Sequence, residues 1–206
     1  MYQPRAFVDT DLAWLDALFA ADPFVTLVTN DEAGAPFASH LPVLYRRDDQ
    51  GIRIEGHWAG PNAQARHAGE ALLIVHGPHA YVSPGWYPDK HEASRVPTWN
   101  YTVAHLRGTL VRFEDDASLG DLVARLSAHF EAEIGGDWEF DAADPRQHAM
   151  LRGIVGFRFE PRQVDMKSKL SQNHPLANRQ AVVEALSGRD AADARAVAAL
   201  MRATLP

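Results

Sequence analysis

The chain has 206 residues, 46% of them hydrophobic, which is material for one domain with an appended terminal segment. Its formal charge of −7, from 27 acidic against 20 basic side chains, argues against broad attraction to nucleic acid or anionic membrane, because neutralising phosphates needs a concentrated Lys/Arg surface. It has no cysteine, which excludes disulfides, thiolate catalysis, Cys-ligated zinc and iron–sulfur clusters.

No stretch approaches the roughly 20 apolar residues of a membrane span. Residues 1–20 carry Asp9, Asp11 and Asp16 where a signal peptide would be apolar, so a soluble, cytoplasmic protein with no membrane partner is expected. Asp9 and Asp11 precede Leu12, Trp14, Leu15, Leu18 and Phe19, a helical spacing with acids at the favourable N-terminal end, and Pro23 stops that helix. Residues 24–29 form a β-rich apolar run, and Asp31, Gly34 and Pro36 supply a hairpin connection. Phe37, Ser39, Leu41, Val43 and Tyr45 share one face of a second strand. Pro42 interrupts it, since a proline cannot donate to the ladder and implies an edge or a bulge.

Residues 51–57 read as a third strand and 61–67 as a brief helix whose N-terminal amides can face an anion. Residues 71–75, 80–83 and 99–113 continue the β pattern. Residues 84–97 form a long charged loop of the kind that often rims a pocket. Ser118 and Asp121 make a capping box for a helix registered by Leu119, Leu122, Val123, Leu126, Phe130 and Ile134. Residues 154–160 return to strand alternation, 164–173 are polar and lysine-bearing, and 175–205 suggest two alanine-rich helices split at 187–189. Successive strands joined by turns, with few helices between, point to a mainly β antiparallel barrel rather than βαβ units.

Chemistry concentrates between residues 55 and 108. Gly56, His57, Trp58, Asn62 and Gln64 crowd one turn, Tyr81, Ser83, Pro84, Trp86 and Tyr87 another, and Pro97 to Tyr101 bring Trp99 and Asn100 to a strand start. Aromatic planes stack on rings while amides fix orientation, so the cluster suits a flat heteroaromatic cofactor. The same residues admit plainer roles: core or interface aromatics, structural histidines at positions 40 and 57, a helix cap at Asn62, solvated lysines at 167 and 169. The ten histidines show no His-Glu-x-x-His helix or other metal spacing, so no metal site is expected. Neither a nucleophile elbow nor a Gly-x-Gly-x-x-Gly turn occurs.

The blocks Met1-Tyr2-Gln3-Pro4, Ser39-His40-Leu41-Pro42-Val43, Gly56-His57-Trp58-Ala59, Gly77 to Pro84, Val96 to Tyr101 and Lys169-Leu170-Ser171-Gln172-Asn173 together resemble the PaiB-like family of FMN-binding proteins. The resemblance implies a flavin-binding split β-barrel similar to pyridoxamine phosphate oxidases, working as a homodimer with FMN between subunits. It implies a barrel over residues 1–174, and a helical extension over 175–206 packed on the barrel or on the dimer partner. It lays Ser39, His40, Leu41, Pro42 and Val43 beside the isoalloxazine, His57, Asn62 and Gln64 near the ribityl phosphate, and Trp99 and Asn100 against the flavin of the other subunit. Lys167 or Lys169 with Gln172 would close the site. Where the oxidases place paired basic residues for phosphate, this chain has Gly56-His57, which leaves neutral donors and a helix end for that task.

The implied function is that of an FMN-dependent oxidoreductase of unspecified substrate, since the flavin carries redox chemistry and the protein supplies placement. A flavin-responsive negative transcriptional regulator is the first alternative, and a haem-binding or haem-degrading protein with His57 or His40 as axial ligand the second. DNA contact draws little support from the C-terminal helices, where Arg179, Arg189, Arg195 and Arg202 mix with Glu184, Asp190 and Asp193. A catalytic acid or base is not identifiable, and His40 and His57 are candidates only by type and position.

Overall fold

The structure is a computed structural model describing residues 1–206. Its strands are β1 (Val8–Asp9), β2 (Phe24–Asn30), β3 (Pro36–Pro42), β4 (Leu44–Asp48), β5 (Gly51–Ala59), β6 (Gly69–Val82), β7 (Thr98–Phe113) and β8 (Ile154–Lys169). Helices α1 (Leu12–Ala21), α2 (Asp116–Ile134), α3 (Pro145–Met150), α4 (Leu176–Ser187) and α5 (Ala192–Ala203) flank them. The eight strands form one sheet, ordered β3-β2-β6-β7-β8-β5-β4, with β1 added to β8. Residues 1–18, 76–104 and 165–206 form one compact unit, and 19–75 with 105–164 form a second; β6, β7 and β8 contribute residues to both.

In the second unit the chain closes the sheet on itself. The predicted strand through Phe37 and Tyr45 is in fact two, because Pro42 ends β3 at the sheet edge opposite Phe24 and β4 restarts at Leu44. The one residue between them, Val43, is fully buried and donates its N–H to the Pro23 carbonyl at 3.1 Å. The two edge strands of the sheet are therefore consecutive in the chain, and this junction makes the fold a split barrel rather than an open sheet with exposed edges. Leu27, Ile54, Trp58, Leu73, Leu106, Phe157 and Phe159, all fully buried, fill the interior. Trp58 lies against Phe157 with ring centroids 4.6 Å apart.

Other boundaries also differ from the sequence reading. The predicted strands at 71–75 and 80–83 are one strand, β6, running through Gly77 and Pro78. Its pairing with β2 covers only residues 72–74, so on that side Pro78 lies past the stretch where an N–H is required. β8 likewise absorbs the polar lysine-bearing stretch and runs to Lys169. The N-cap of α2 is Asp115, whose carboxylate accepts from the Ser118 N–H at 2.9 Å, in place of the expected Ser118 box. An aspartate there both caps and complements the positive helix end. Arg125 of α2 and Arg158 of β8 both bind the buried Glu55 carboxylate of β5, at 2.9 and 3.2 Å, which fixes the helix to the sheet.

In the first unit, α4 and α5 bury Val182, Val183, Leu186, Val197, Ala198 and Met201 against Ala80, Val82, Tyr87 and Leu170. β1 pairs Val8 with Lys167 and Asp9 with Met166.

At Gly108 of β7 a Cβ would collide with the Glu160 carbonyl and the Pro161 Cα of β8. Gly108→Ala forces two backbones apart and should destabilise by about 1–3 kcal/mol. A lowered urea midpoint at unchanged slope is the expected result, and an unchanged midpoint would show that the strands yield freely.

Candidate functional site

The turn after β5 is built around the amide side chain of Gln64, which is 0% exposed. Its Oε1 accepts from Trp58 Nε1 at 2.9 Å, and its Nε2 lies within reach of the Leu27 carbonyl at 2.9 Å, the Phe37 carbonyl at 3.0 Å and Thr29 Oγ1 at 3.1 Å. Two amide hydrogens are thus shared among three acceptors, and the carboxamide joins β2, β3 and β5. Asn62 accepts from the Gln64 N–H at 2.9 Å, capping a 3-10 turn over Ala63–Arg66, and donates from Nδ2 to Ser39 Oγ at 3.0 Å. One of the amides expected to face an anion is therefore used by this cap.

Ser39 is buried on β3, whereas His40 beside it is exposed and shares its Nδ1 with Thr26 Oγ1 at 3.0 Å. Leu41 is half-buried and Pro42 exposed. Gly56 sits beneath them: a Cβ there would lie 2.7 Å from the Phe157 ring and 3.1 Å from the Pro42 carbonyl. His57, paired with Gly156 across β5 and β8, is half-buried and its Nδ1 is buried without a hydrogen-bond partner. Burial holds its imidazole below the ordinary value of 6.5, so at neutral pH the ring is uncharged.

In the first unit the other predicted residues fall into two kinds. Asn100 is 0% exposed and bonds Ser171 Oγ at 2.9 Å and Met201 Sδ at 3.2 Å. Gln172 accepts from the Leu170 N–H and donates to the Ser168 carbonyl, a closed local loop. Lys167 is buried, donates to the Tyr2 carbonyl at 3.1 Å, and lies 5.6 and 5.2 Å over the rings of Tyr2 and Tyr101. These three are held by the chain itself. Trp99 and Lys169 are different. Trp99 is 50% exposed beside Tyr81, 46% exposed, their rings edge-to-face at 6.1 Å. Lys169 donates to Thr98 Oγ1 and the Trp99 carbonyl, both at 2.5 Å, and burial followed by the Lys167 charge pushes its ammonium below 10.5.

The loop over residues 84–97 is pinned rather than free. Arg95 binds Asp89 at 3.0 and 2.5 Å, and Asn178 of α4 donates to the same carboxylate at 2.7 Å. Arg95 holds the Asp89 carboxyl at about 2. Ser94 and Ser171 are the two non-glycine residues with positive φ, at 47° and 62°. Sequence reasoning passed over both, since serine carries no warning of left-handed backbone.

Gln64→Leu removes the amide that bonds the Leu27 and Phe37 carbonyls and the Trp58 indole, and should destabilise by about 3 kcal/mol, read by chemical denaturation. A loss under about 1 kcal/mol would mean water replaces the amide at no cost. The His57 ring should titrate below 6.5 by NMR. The folded state then binds this proton less readily than the unfolded chain, so stability declines as pH falls through 6.5 towards the folded value and levels off below it. A His57 value at or above 6.5 would refute the assigned burial.

A family model described as "Putative FMN-binding domain" matches residues 1–163. The protein PAI 2 of Bacillus subtilis (strain 168), described as a protease synthase and sporulation protein, is 32% identical over 205 residues, covering 98% of this chain and 96% of that one. Among solved structures, the FAD and haem binding protein from Mycobacterium smegmatis superposes with a TM-score of 0.57 at 16% identity, over 79% of this chain and 73% of that one. The flavocytochrome Anf3 from Azotobacter vinelandii gives 0.57 at 14%, over 79% and 69%. These structural likenesses bear on fold alone. No helix is long and apolar enough to cross a membrane. By the family model and by its match along nearly the whole Bacillus protein, the chain belongs to the PaiB-like family of FMN-binding split-barrel proteins.

Proposed function

We propose that this protein is an FMN-dependent oxidoreductase that acts as a homodimer, with the flavin held between subunits. The observation that carries the reading is the buried, partnerless Nδ1 of His57, five residues before the Asn62 cap, in a chain whose family binds FMN. A buried polar atom without a partner is costly in a finished structure and is accounted for if a ligand supplies the missing bond. His57 and Asn62 would hold the phosphate end with neutral donors, and Ser39 to Val43 would flank the ring. Gln64 acts one step back, by fixing Asn62 and β3. From the other subunit, the half-exposed face of Trp99 offers a stacking plane.

FMN, when bound, supplies the electron-transfer chemistry, and the chain's own residues bind, orient and exclude water. Asn100 contributes by positioning, since its side chain is wholly engaged inside the first unit.

The regulatory alternative gains less. In the C-terminal pair, Arg179 donates to Thr204, Arg195 faces Asp190 and Arg202 donates to Ser187, so much of the basic charge is already engaged. Haem binding by the Mycobacterium protein and the flavocytochrome character of the Azotobacter one keep haem as a minor alternative cofactor, for which His57 would be the axial candidate because His40 is shared with Thr26.

His57→Ala should weaken FMN binding roughly tenfold or more, as expected for a lost hydrogen bond to a charged group, with the oligomeric mass unchanged. Flavin fluorescence quenching with light scattering reads both. An unaltered dissociation constant would remove His57 from the site, and a Soret band after haem addition that outcompetes flavin would replace the cofactor.

A further inference from the structure

The first unit holds a cavity of about 320 Å³ bounded by residues 93–98, Phe7 and the end of β8. Its wall carries Lys169, Arg95 and His174, with hydroxyl residues Ser94, Thr98 and Ser171, and no carboxylate. In a chain where acids outnumber bases 27 to 20, a cavity lined by cations and hydroxyls alone among its charged and hydroxyl groups is a marked departure.

Three further observations bear on it. First, both left-handed non-glycine residues of the chain, Ser94 and Ser171, stand in this one wall. Such conformations are disfavoured for serine and persist only where surrounding bonds impose them. At Ser171 the imposing bonds are visible: its Oγ donates to Asn100 Oδ1 at 3.1 Å and accepts from Asn100 Nδ2 at 2.9 Å. Second, the Lys169 ammonium uses two of its three N–H groups on Thr98 Oγ1 and the Trp99 carbonyl, which leaves one donor uncommitted. Third, His174 stacks on Tyr87 with ring centroids 4.8 Å apart and planes 10° or so from parallel (11°), and its buried Nδ1 has no partner. Burial, then the Arg95 charge, holds the His174 ring below 6.5; Lys169 adds to this and Asp89 opposes it. Burial is the first cause of both the Lys169 and the His174 shifts, and the neighbouring Lys167 and Arg95 charges add to it.

We propose that this cavity is an oxyanion site that takes the carboxylate or phosphate group of a small molecule other than FMN, with Lys169 as the charged donor and His174 as the neutral one. Arg95, already committed to Asp89, shapes the wall and adds field rather than a direct bond. The proposal does not depend on flavin, because the cavity is complete within one unit of one chain.

The test is calorimetric titration of inorganic phosphate into the full-length protein, with and without saturating FMN, for the wild type, Lys169→Met, Lys169→Arg and His174→Phe. Charge-assisted bonds of this kind predict that Lys169→Met weakens phosphate at least about tenfold while Lys169→Arg largely retains it. His174→Phe keeps the stack on Tyr87 and breaks no hydrogen bond, so it tests the site even if the lysine variant does not fold; a loss of several-fold is expected. Equal phosphate affinity in FMN-loaded protein supports a separate ligand. No binding, binding indifferent to both variants, or competition between phosphate and FMN would overturn the proposal, the last by assigning Lys169 to the cofactor's own phosphate. A protein that retains no flavin yet binds phosphate through Lys169 would refute the FMN reading and leave this one standing.

Discussion

The carboxamide of Gln64 is the constraint on which the barrel half of the molecule depends. A single buried amide satisfies carbonyls of β2 and β3 and receives the Trp58 indole from β5, so strands far apart in the chain share one polar junction inside an apolar core. A partly satisfied amide in that place would cost more than an apolar residue, so the junction is specific as well as stabilising. From it follow the short 3-10 turn, the Asn62 cap and the bond to Ser39.

Closure of the sheet supplies the other half of that rigidity. Val43 is the one residue between the two edge strands, and its burial with a bond to Pro23 turns a proline interruption into a corner. Charge reinforces it from outside, where Glu55 holds arginines of α2 and β8 at once. Removing one partner of such a buried group costs more than the pair's net contribution, so the triad constrains which arrangement forms more than it deepens stability.

Much of this was legible in the residues. The period-2 pattern of β7 survives intact, with every even-numbered residue from 100 to 110 buried, and the helical registers of α1 and α2 appear where the spacing places them, except that Ile134 at the end of α2 is exposed. Pro42 announced an edge. Less legible was the direction in which an amide points. Gln64 and Asn100 have the chemistry of ligand contacts, yet both are wholly buried against protein, and only tertiary pairing decides between backbone and ligand as partner. Positive φ at Ser171 was invisible for a related reason: the side chain that holds its Oγ, Asn100, is far away in the chain. Residues 76–79 fell outside the predicted strands because the sequence does not reveal that β2 stops pairing with β6 before Gly77 and Pro78.

The central claim is a flavin shared between two copies of the chain, and the most direct measurement is the visible absorption of FMN-loaded protein after gel filtration, taken together with the mass by light scattering. The account predicts one flavin per chain, retained at twice the 22.8 kDa chain mass. Flavin retained by a protein of single-chain mass, or a dimer from which all flavin washes away, would contradict it.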